Sequence, residues 1–461
     1  MTRSKGNTVW AFMLMGLLAF LPLGSGGEIQ PTDKPVVQEE EGAIPTLTYH
    51  FPENLAEENR EIAAAVIVRA IQTGKAVDIE NAVIRGPLTL RSVSVKRDIS
   101  IKRAKIMDKV DWSYANFKGK VTLAEDTFEK EAVFQGDLFG KTVNFDHSLF
   151  KGQASFIAAQ VGQDASFQGA RFEKQAMFFN LRIGNDANFD RVIFKDWVSF
   201  DGAWIEGVAF LKEVNFERAA YFVGTRIGKG AFFSGANFAT PVSFQDASFE
   251  RISLGPPEAK FKNTEPVDLR GSVYNRVDDP QFFWTRLTSL KNMLLDWRFF
   301  HMLETSFREA GEEDLAKEVY YERRMWEARR ISFDEHPIVW MGNRLLWLLT
   351  GYGVQLWRLF VVIVFVLGFG TVIFHIKGAA ELKKGARLAN EPDPRSLPWS
   401  DAFWMCLRLF LPVEIPAMAD WQPSAKTIGG IRCTSWASLL KVVGWILVPL
   451  GVAGLTGFLI H

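Results

Sequence analysis

Two cysteines in 461 residues are too few for a disulfide-stapled small domain or a multi-cysteine zinc scaffold. Charge of one sign is also missing. Lys and Arg number 53 against 53 Asp and Glu, and this zero balance excludes the electrostatic footprint of a general nucleic-acid binder. Histidine is scarce, and His50, His147, His301, His336, His375 and His461 fall at no metal-ligand spacing. Cys406 and Cys433 form no CxxC pair, and Cys406 sits in an apolar stretch that does not suit a nucleophilic thiol. No P-loop, GxSxG or HExxH occurs. No residue set points to catalysis, a metal or a cofactor. What is abundant is phenylalanine, 39 residues against only 7 Tyr.

The ends of the chain address a membrane. Residues 1–27 have a basic start (Arg3, Lys5), an apolar stretch over 9–23 and a Gly24-Ser25-Gly26 site. That is the layout of a secretory signal peptide, with an uncleaved anchor as the alternative. Residues 28–45 are rich in Pro and Glu and read as a loose, disordered linker. Near the other end, 359–376 and 442–460 carry no charge. With their flanks, each is long enough to cross a hydrocarbon core of ~30 Å.

The middle is a repeat. Large apolar residues alternate five and six apart, an eleven-residue period. One series runs through Phe117, Phe128, Phe139, Phe150 and Val161 to Phe249. The other takes in Phe134, Phe145, Phe156, Phe167, Phe178, Phe189, Phe200, Leu211, Phe222, Phe233 and Phe244. In the second series the position two before is always Ala or Val, so both side chains leave one face of a short extended segment and form the core. Val161, Ile183, Ile205 and Ile227 recur at 22, which predicts columns stacked in a solenoid with four short faces per coil. The register extends back to Ile79 and forward to Leu254 without interruption, and Asp146, Asp164, Asp186 and Asp246 read as solvated surface. Units such as ASFQG, ARFEK, ANFDR and QDASF resemble pentapeptide repeats. The resemblance implies a right-handed quadrilateral β-helix in which Phe167 with Ala165, Phe189 with Ala187, and Phe238 with Ala236 fill the interior. The chain departs from that pattern by one extra residue in every second unit, 22 per coil rather than 20. A pectate-lyase-type β-helix is the rival, because its coils are of similar length.

A solenoid's ends need covers. A helix over 57–73 is expected to cap the first coil within a capping segment 46–76, ahead of a β-helix over 77–276. Residues 266–274 read as one more partial coil. A helical hairpin over 280–335 then has a first helix at 281–309, with Leu290, Leu294, Trp297 and Phe307 apolar, and a second at 312–330.

Residues 338–461 form a two-span module. Between the spans, 397–410 is a short amphipathic helix and 411–424 a Pro-containing loop. This plan resembles the pore of a two-helix potassium channel, a module found in a bacterial group of pentapeptide-repeat proteins. The pore-loop candidates are Arg408, Pro412, Glu414, Pro416, Asp420 and Trp421. A ring of carbonyls from a TVGYG-type filter is missing, and Gly351-Tyr352-Gly353 precedes the first span, so K⁺ selectivity is unsupported. Arg408 and Glu414 read either as pore charges or as interfacial groups. Exporting the solenoid places 377–441 inside, in line with Lys377, Lys383, Lys384, Arg387, Lys426, Arg432 and Lys441; Arg323, Arg324, Arg329 and Arg330 argue the other way.

The fold expected is therefore a mainly β solenoid followed by an α-helical hairpin and two transmembrane helices. The favoured role is a non-enzymatic, membrane-anchored scaffold at the cell envelope, with its solenoid on the periplasmic side of the inner membrane. Its partners would be lipid and an unidentified envelope protein; nucleic acid and cofactors play no part. The alternative is a homo-oligomeric pore without K⁺ selectivity, sensed or gated by the solenoid. A carbohydrate enzyme on a β-helix is the weakest reading.

Overall fold

The computed structural model describes residues 45–455 except 240, 256–258, 262–265, 289–292, 384–395, 414–415 and 417–418. The expected signal peptide and residues 28–44 of the linker lie outside the described residues.

Strands of two to six residues stack in parallel into four ladders, one per face of the coil. Two ladders are separate ten-stranded sheets. The other two merge into one 18-stranded sheet because Ser248–Ser253 turns a corner and pairs with both Arg226–Ile227 and Gly230–Phe232. The solenoid has about ten turns of about 22 residues. Phe128 lies beside Phe150, Phe139 beside Val161, Ala154 beside Ala176 and Ala165 beside Ala187.

This register puts identical rings on top of one another. Phe128, Phe150 and Phe172 stack at 4.5 and 4.6 Å with interplanar angles of 2°. Phe134, Phe156, Phe178, Phe200, Phe222 and Phe244 form a second column at 4.8–5.1 Å. Phe145, Phe167 and Phe189 form a third, and Phe233 is buried further along the same face. Between columns the rings meet edge to face, as in Phe156 against Phe167 at 87°, which suits the ring quadrupoles. The fourth column is the aliphatic one, Val161 to Ile227. The glycine after each of its first two members has a backbone reason. A Cβ on Gly162 or Gly184 would lie 2.8 or 2.6 Å from the carbonyl oxygen of the glycine one coil earlier.

The extra residue of each eleven sits at a corner. Asn81, Ser92, Arg103, Tyr114, Glu125, Gly136, His147, Ala158 and Gly169 continue in steps of eleven to Gly235 and Asp246, all with φ between 52° and 72°. A left-handed conformation costs a non-glycine residue ~1–2 kcal/mol, which the packed coil overrides. Ala158 is exposed with φ 56°. Ala158→Gly is therefore expected to stabilise the rod by about 0.5–1 kcal/mol, read as a rise in its urea midpoint. An unchanged or lower midpoint would show that the corner is unstrained.

Four boundaries differ from the expected ones. The solenoid begins earlier, since Thr46–His50 pairs with Ala76–Glu80 and Glu61–Ala63 with Val83–Arg85. Only Ala64–Gln72 (α1) is α-helical, preceded by a 3₁₀ turn at Glu57–Arg60. Ile62 is drawn into a strand because it stacks over Ile84, and α1 then takes the place of two strands, burying Ala64, Ile67, Ala70 and Ile71 over the open coil. The 22-residue register also breaks before Leu254, for Ala231 pairs with Ile252, 21 residues on, and Val242 with Val267, 25 on. Finally, the first hairpin helix is split. Pro280–Thr288 (α2) is followed by strand Met293–Leu294, which extends a ladder beside Val267–Asp268, and then by Trp297–Glu309 (α3). Asp296 starts α3 by accepting a hydrogen bond from Phe299 N at 2.9 Å. Leu294 and Trp297 are exposed, and Leu290 lies outside the described residues; the buried face of α3 is Phe299, Phe300, Leu303 and Phe307. With Glu313–Arg330 (α4), these helices continue the solenoid core and close its second end.

Candidate functional site

The helical module begins with Pro337–Thr350 (α5), followed by Trp357–His375 (α6), Trp399–Phe410 (α7) and Cys433–Leu455 (α8). Helices α6 and α8 are long and apolar enough to cross a membrane. Their large side chains face outward: Phe360, Phe365 and Trp445 are 68, 72 and 66% exposed. A core helix of a soluble domain would bury such groups.

Helix α7 is shorter and packs between them. It starts at the end of α6, where His375 stacks on Trp399 at 3.9 Å and its Nδ1 meets the Leu397 carbonyl at 2.7 Å. It then runs back along α6, so that Cys406 Sγ donates to the Leu367 carbonyl at 3.5 Å, eight residues or about 12 Å from His375. Phe410 ends beside Gly444 and clusters with Leu349, Leu359 and Leu447. Two glycines make room for this. A Cβ on Gly370 would lie 2.4 Å from Cys406 Sγ, and one on Gly444 would lie 1.7 Å from the Phe410 carbonyl oxygen. The chain then returns, because Trp421–Pro423 pairs antiparallel with Ala380–Leu382 just beyond α6, and Ser424 Oγ donates to the Gly378 carbonyl at 2.6 Å.

The pore-loop candidates lie on this return. Arg408 is half-buried and its Nη1 donates to the Trp421 carbonyl at 3.4 Å, so the guanidinium reaches back toward the end of α6. Pro412, Pro416 and Asp420 are exposed, and Trp421 is half-buried in its strand. Glu414 lies outside the described residues. Cys406 and Cys433 are buried, and no metal-holding group of His, Cys, Asp or Glu occurs among the described residues.

The aspartates of the rod do more than meet solvent. Asp146 Oδ1 accepts from Gln168 N at 2.9 Å, Asp164 Oδ1 from Asp186 N at 3.2 Å and Asp186 Oδ1 from Val208 N at 2.8 Å, so each bridges to the next coil. Asp246 occupies a left-handed corner. The Lys130 ammonium holds the Asp108 carboxyl below its usual range, helped by the Gly86 amide.

The repeat pattern does not mark Asp126 and Asp137. They precede Phe128 and Phe139 by two, the small-residue slot, and both are fully buried. Their Oδ1 atoms accept from Ala104 N and Ala115 N at 2.8 and 2.9 Å, and neither Oδ2 has a hydrogen-bond partner among the described residues. Burial pushes both carboxyls up, Asp126 well above the usual range and Asp137 to about 8. In acid the folded and unfolded chains both hold the proton and the carboxyl costs nothing. For Asp137, between roughly pH 4 and 8 only the unfolded chain releases it, so this one carboxyl lowers stability by up to about 1.4 kcal/mol per pH unit. Asp137→Asn is expected to flatten that decline in a series of urea midpoints. A decline that persists unchanged would refute the burial argument.

One face of the rod carries an open recess of about 710 Å³ lined by Phe179, Trp197, Tyr221, Asp196, Asp201 and Arg218. Tyr221 leaves its strand outward, and Phe179 and Trp197 come from the turns beside the strands.

Short strands in four ladders, with Phe and a small residue two before it directed inward, are the geometry that a five-residue unit produces. Residues 138–182 are similar to pentapeptide repeats. They match the family model of that description, in nine copies. The four ladders of this region continue on both sides of it, up to the register break at Ala231. No curated protein and no solved structure matches the chain.

Proposed function

We propose that the protein is a membrane-anchored scaffold without enzymatic activity. A rigid pentapeptide-repeat rod stands on the outer side of an inner membrane and offers its faces to an envelope protein. The observation that carries this reading is the outward apolar surface of α6 and α8, directly downstream of a solenoid capped at both ends. The recess around Trp197 and Tyr221 supports the scaffold role, because exposed aromatic groups with charged neighbours suit protein recognition. Reporters active only in the periplasm or only in the cytoplasm, fused after Pro337, Asn390 and His461, test the orientation. The expected pattern is Pro337 and His461 outside and Asn390 inside; the reverse pattern refutes the exported scaffold.

The second reading is a homo-oligomeric pore, favoured by the path of α7, which enters between α6 and α8 and returns to Trp421. Arg408 and the loop after it would line such a pore. Planar-bilayer recordings of the full chain separate the two readings. Silence supports the scaffold, and a conductance abolished by Arg408→Gln would support the pore.

A further inference from the structure

Helix α5 has one face that none of the described residues covers. Ile338, Met341, Leu345 and Leu348 follow the spacing of a single helical stripe and are 84, 59, 51 and 57% exposed. The opposite face is tied down, with Trp347 Nε1 donating to the Tyr321 hydroxyl of α4 at 3.0 Å. A left-handed turn at Gly351, Tyr352 and Gly353 joins α5 to the start of α6, where Arg358 Nη1 donates to the Trp347 carbonyl at 3.3 Å. The bare stripe is therefore held next to the first turns of α6, whose outward residues are also apolar.

Arginines flank this stripe, with exposed Asp334 and Glu335 as acidic neighbours just ahead of α5. Arg330 lies over the Trp326 ring at 3.6 Å, Arg344 over Trp340 at 5.2 Å and Arg358 over Trp347 at 5.4 Å. Among the described residues, none of these arginines, nor exposed Arg329, has a carboxylate within ion-pair distance. Tryptophan with arginine beside it is the chemistry of the headgroup layer, where the ring sits at the boundary and the guanidinium meets phosphate.

We propose that α5 lies flat in the interface of an anionic phospholipid bilayer, with its apolar stripe at the acyl boundary and Arg329, Arg330 and Arg344 on lipid phosphates. This rests on the reading that α6 crosses the membrane. It adds a second, sideways anchor that fixes the tilt of the rod over the surface and selects lipid by charge.

The test uses the full chain in vesicles of phosphatidylcholine with or without phosphatidylglycerol. Bimane is attached at Leu345→Cys or, separately, at Val364→Cys on the outward face of α6; the native cysteines are buried, and the labelled parent sets the background. Doxyl groups near the headgroup should quench the Leu345 probe most, and deep doxyl groups the Val364 probe. The Arg329→Gln, Arg330→Gln, Arg344→Gln variant should lose preference for phosphatidylglycerol by about fivefold per arginine, read as lipid retained in native mass spectra. A quenched Val364 probe with an unquenched Leu345 probe overturns the interfacial helix and leaves the membrane span standing. If neither probe is quenched, the span falls too. Unchanged lipid preference in the triple variant overturns the role of the arginines.

Discussion

Phe178→Ala is expected to lower the stability of the rod by about 3–5 kcal/mol. Phe178 is fully buried and stacks on Phe156 at 5.1 Å and Phe200 at 4.8 Å. It also meets Phe167, Phe172, Phe189 and Phe194 edge to face at 5.5–6.4 Å. Two-residue strands give the surrounding coils little freedom to collapse into the space, so most of the cavity cost persists. In a solenoid each coil contacts only its neighbours, and a weakened layer in the middle uncouples the two halves. Chemical denaturation of the full chain, followed by far-UV circular dichroism, should show a lower midpoint and a broadened or divided transition. The outward neighbour gives the comparison: Phe179→Ala should cost less than about 1 kcal/mol. Equal effects at the two positions would refute the column account of the core.

The second large effect belongs to the helical module. Gly444→Val should expel α7, because the added Cβ would occupy the position of the Phe410 carbonyl, and backbone on both sides cannot yield. Its readout is Cys406, which α7 buries against α6. A membrane-permeant maleimide should leave Cys406 unmodified in the parent and modify it in the variant. Gly368→Val, where an added Cβ meets nothing within 4 Å, should behave like the parent. If Cys406 stays protected in Gly444→Val, the close packing of α7 on α8 is refuted.

The eleven-residue period made the columns of the core legible because every member is large and apolar. The corner residues share the same period but stayed hidden. Their occupants run through Asn, Ser, Arg, Tyr, Glu, Gly, His and Ala, since coil closure rather than local propensity imposes the left-handed backbone. Ile62 and Met293 fit a helical pattern in the sequence, because helix periodicity cannot reveal that a ladder edge nearby needs a partner. The glycines that seat α7 were equally opaque. Gly370 and Gly444 look like ordinary apolar-run glycines until the Cys406 thiol and the Phe410 carbonyl stand beside them. Arg408 stands out in the sequence as an ionisable group in an apolar setting, but its bond to Trp421 joins segments whose approach only the returning chain creates.

The left-handed corner that recurs every eleven residues also makes the rod a ruler with coarse divisions. Inserting 22 residues adds one layer of about 4.8 Å and leaves everything downstream facing as before. Inserting eleven also satisfies every local rule, but it carries the helices after Val277 half a revolution around the axis. Duplication can therefore lengthen the protein in whole layers while keeping the same side toward its anchor, and a half-layer duplication would turn that side away.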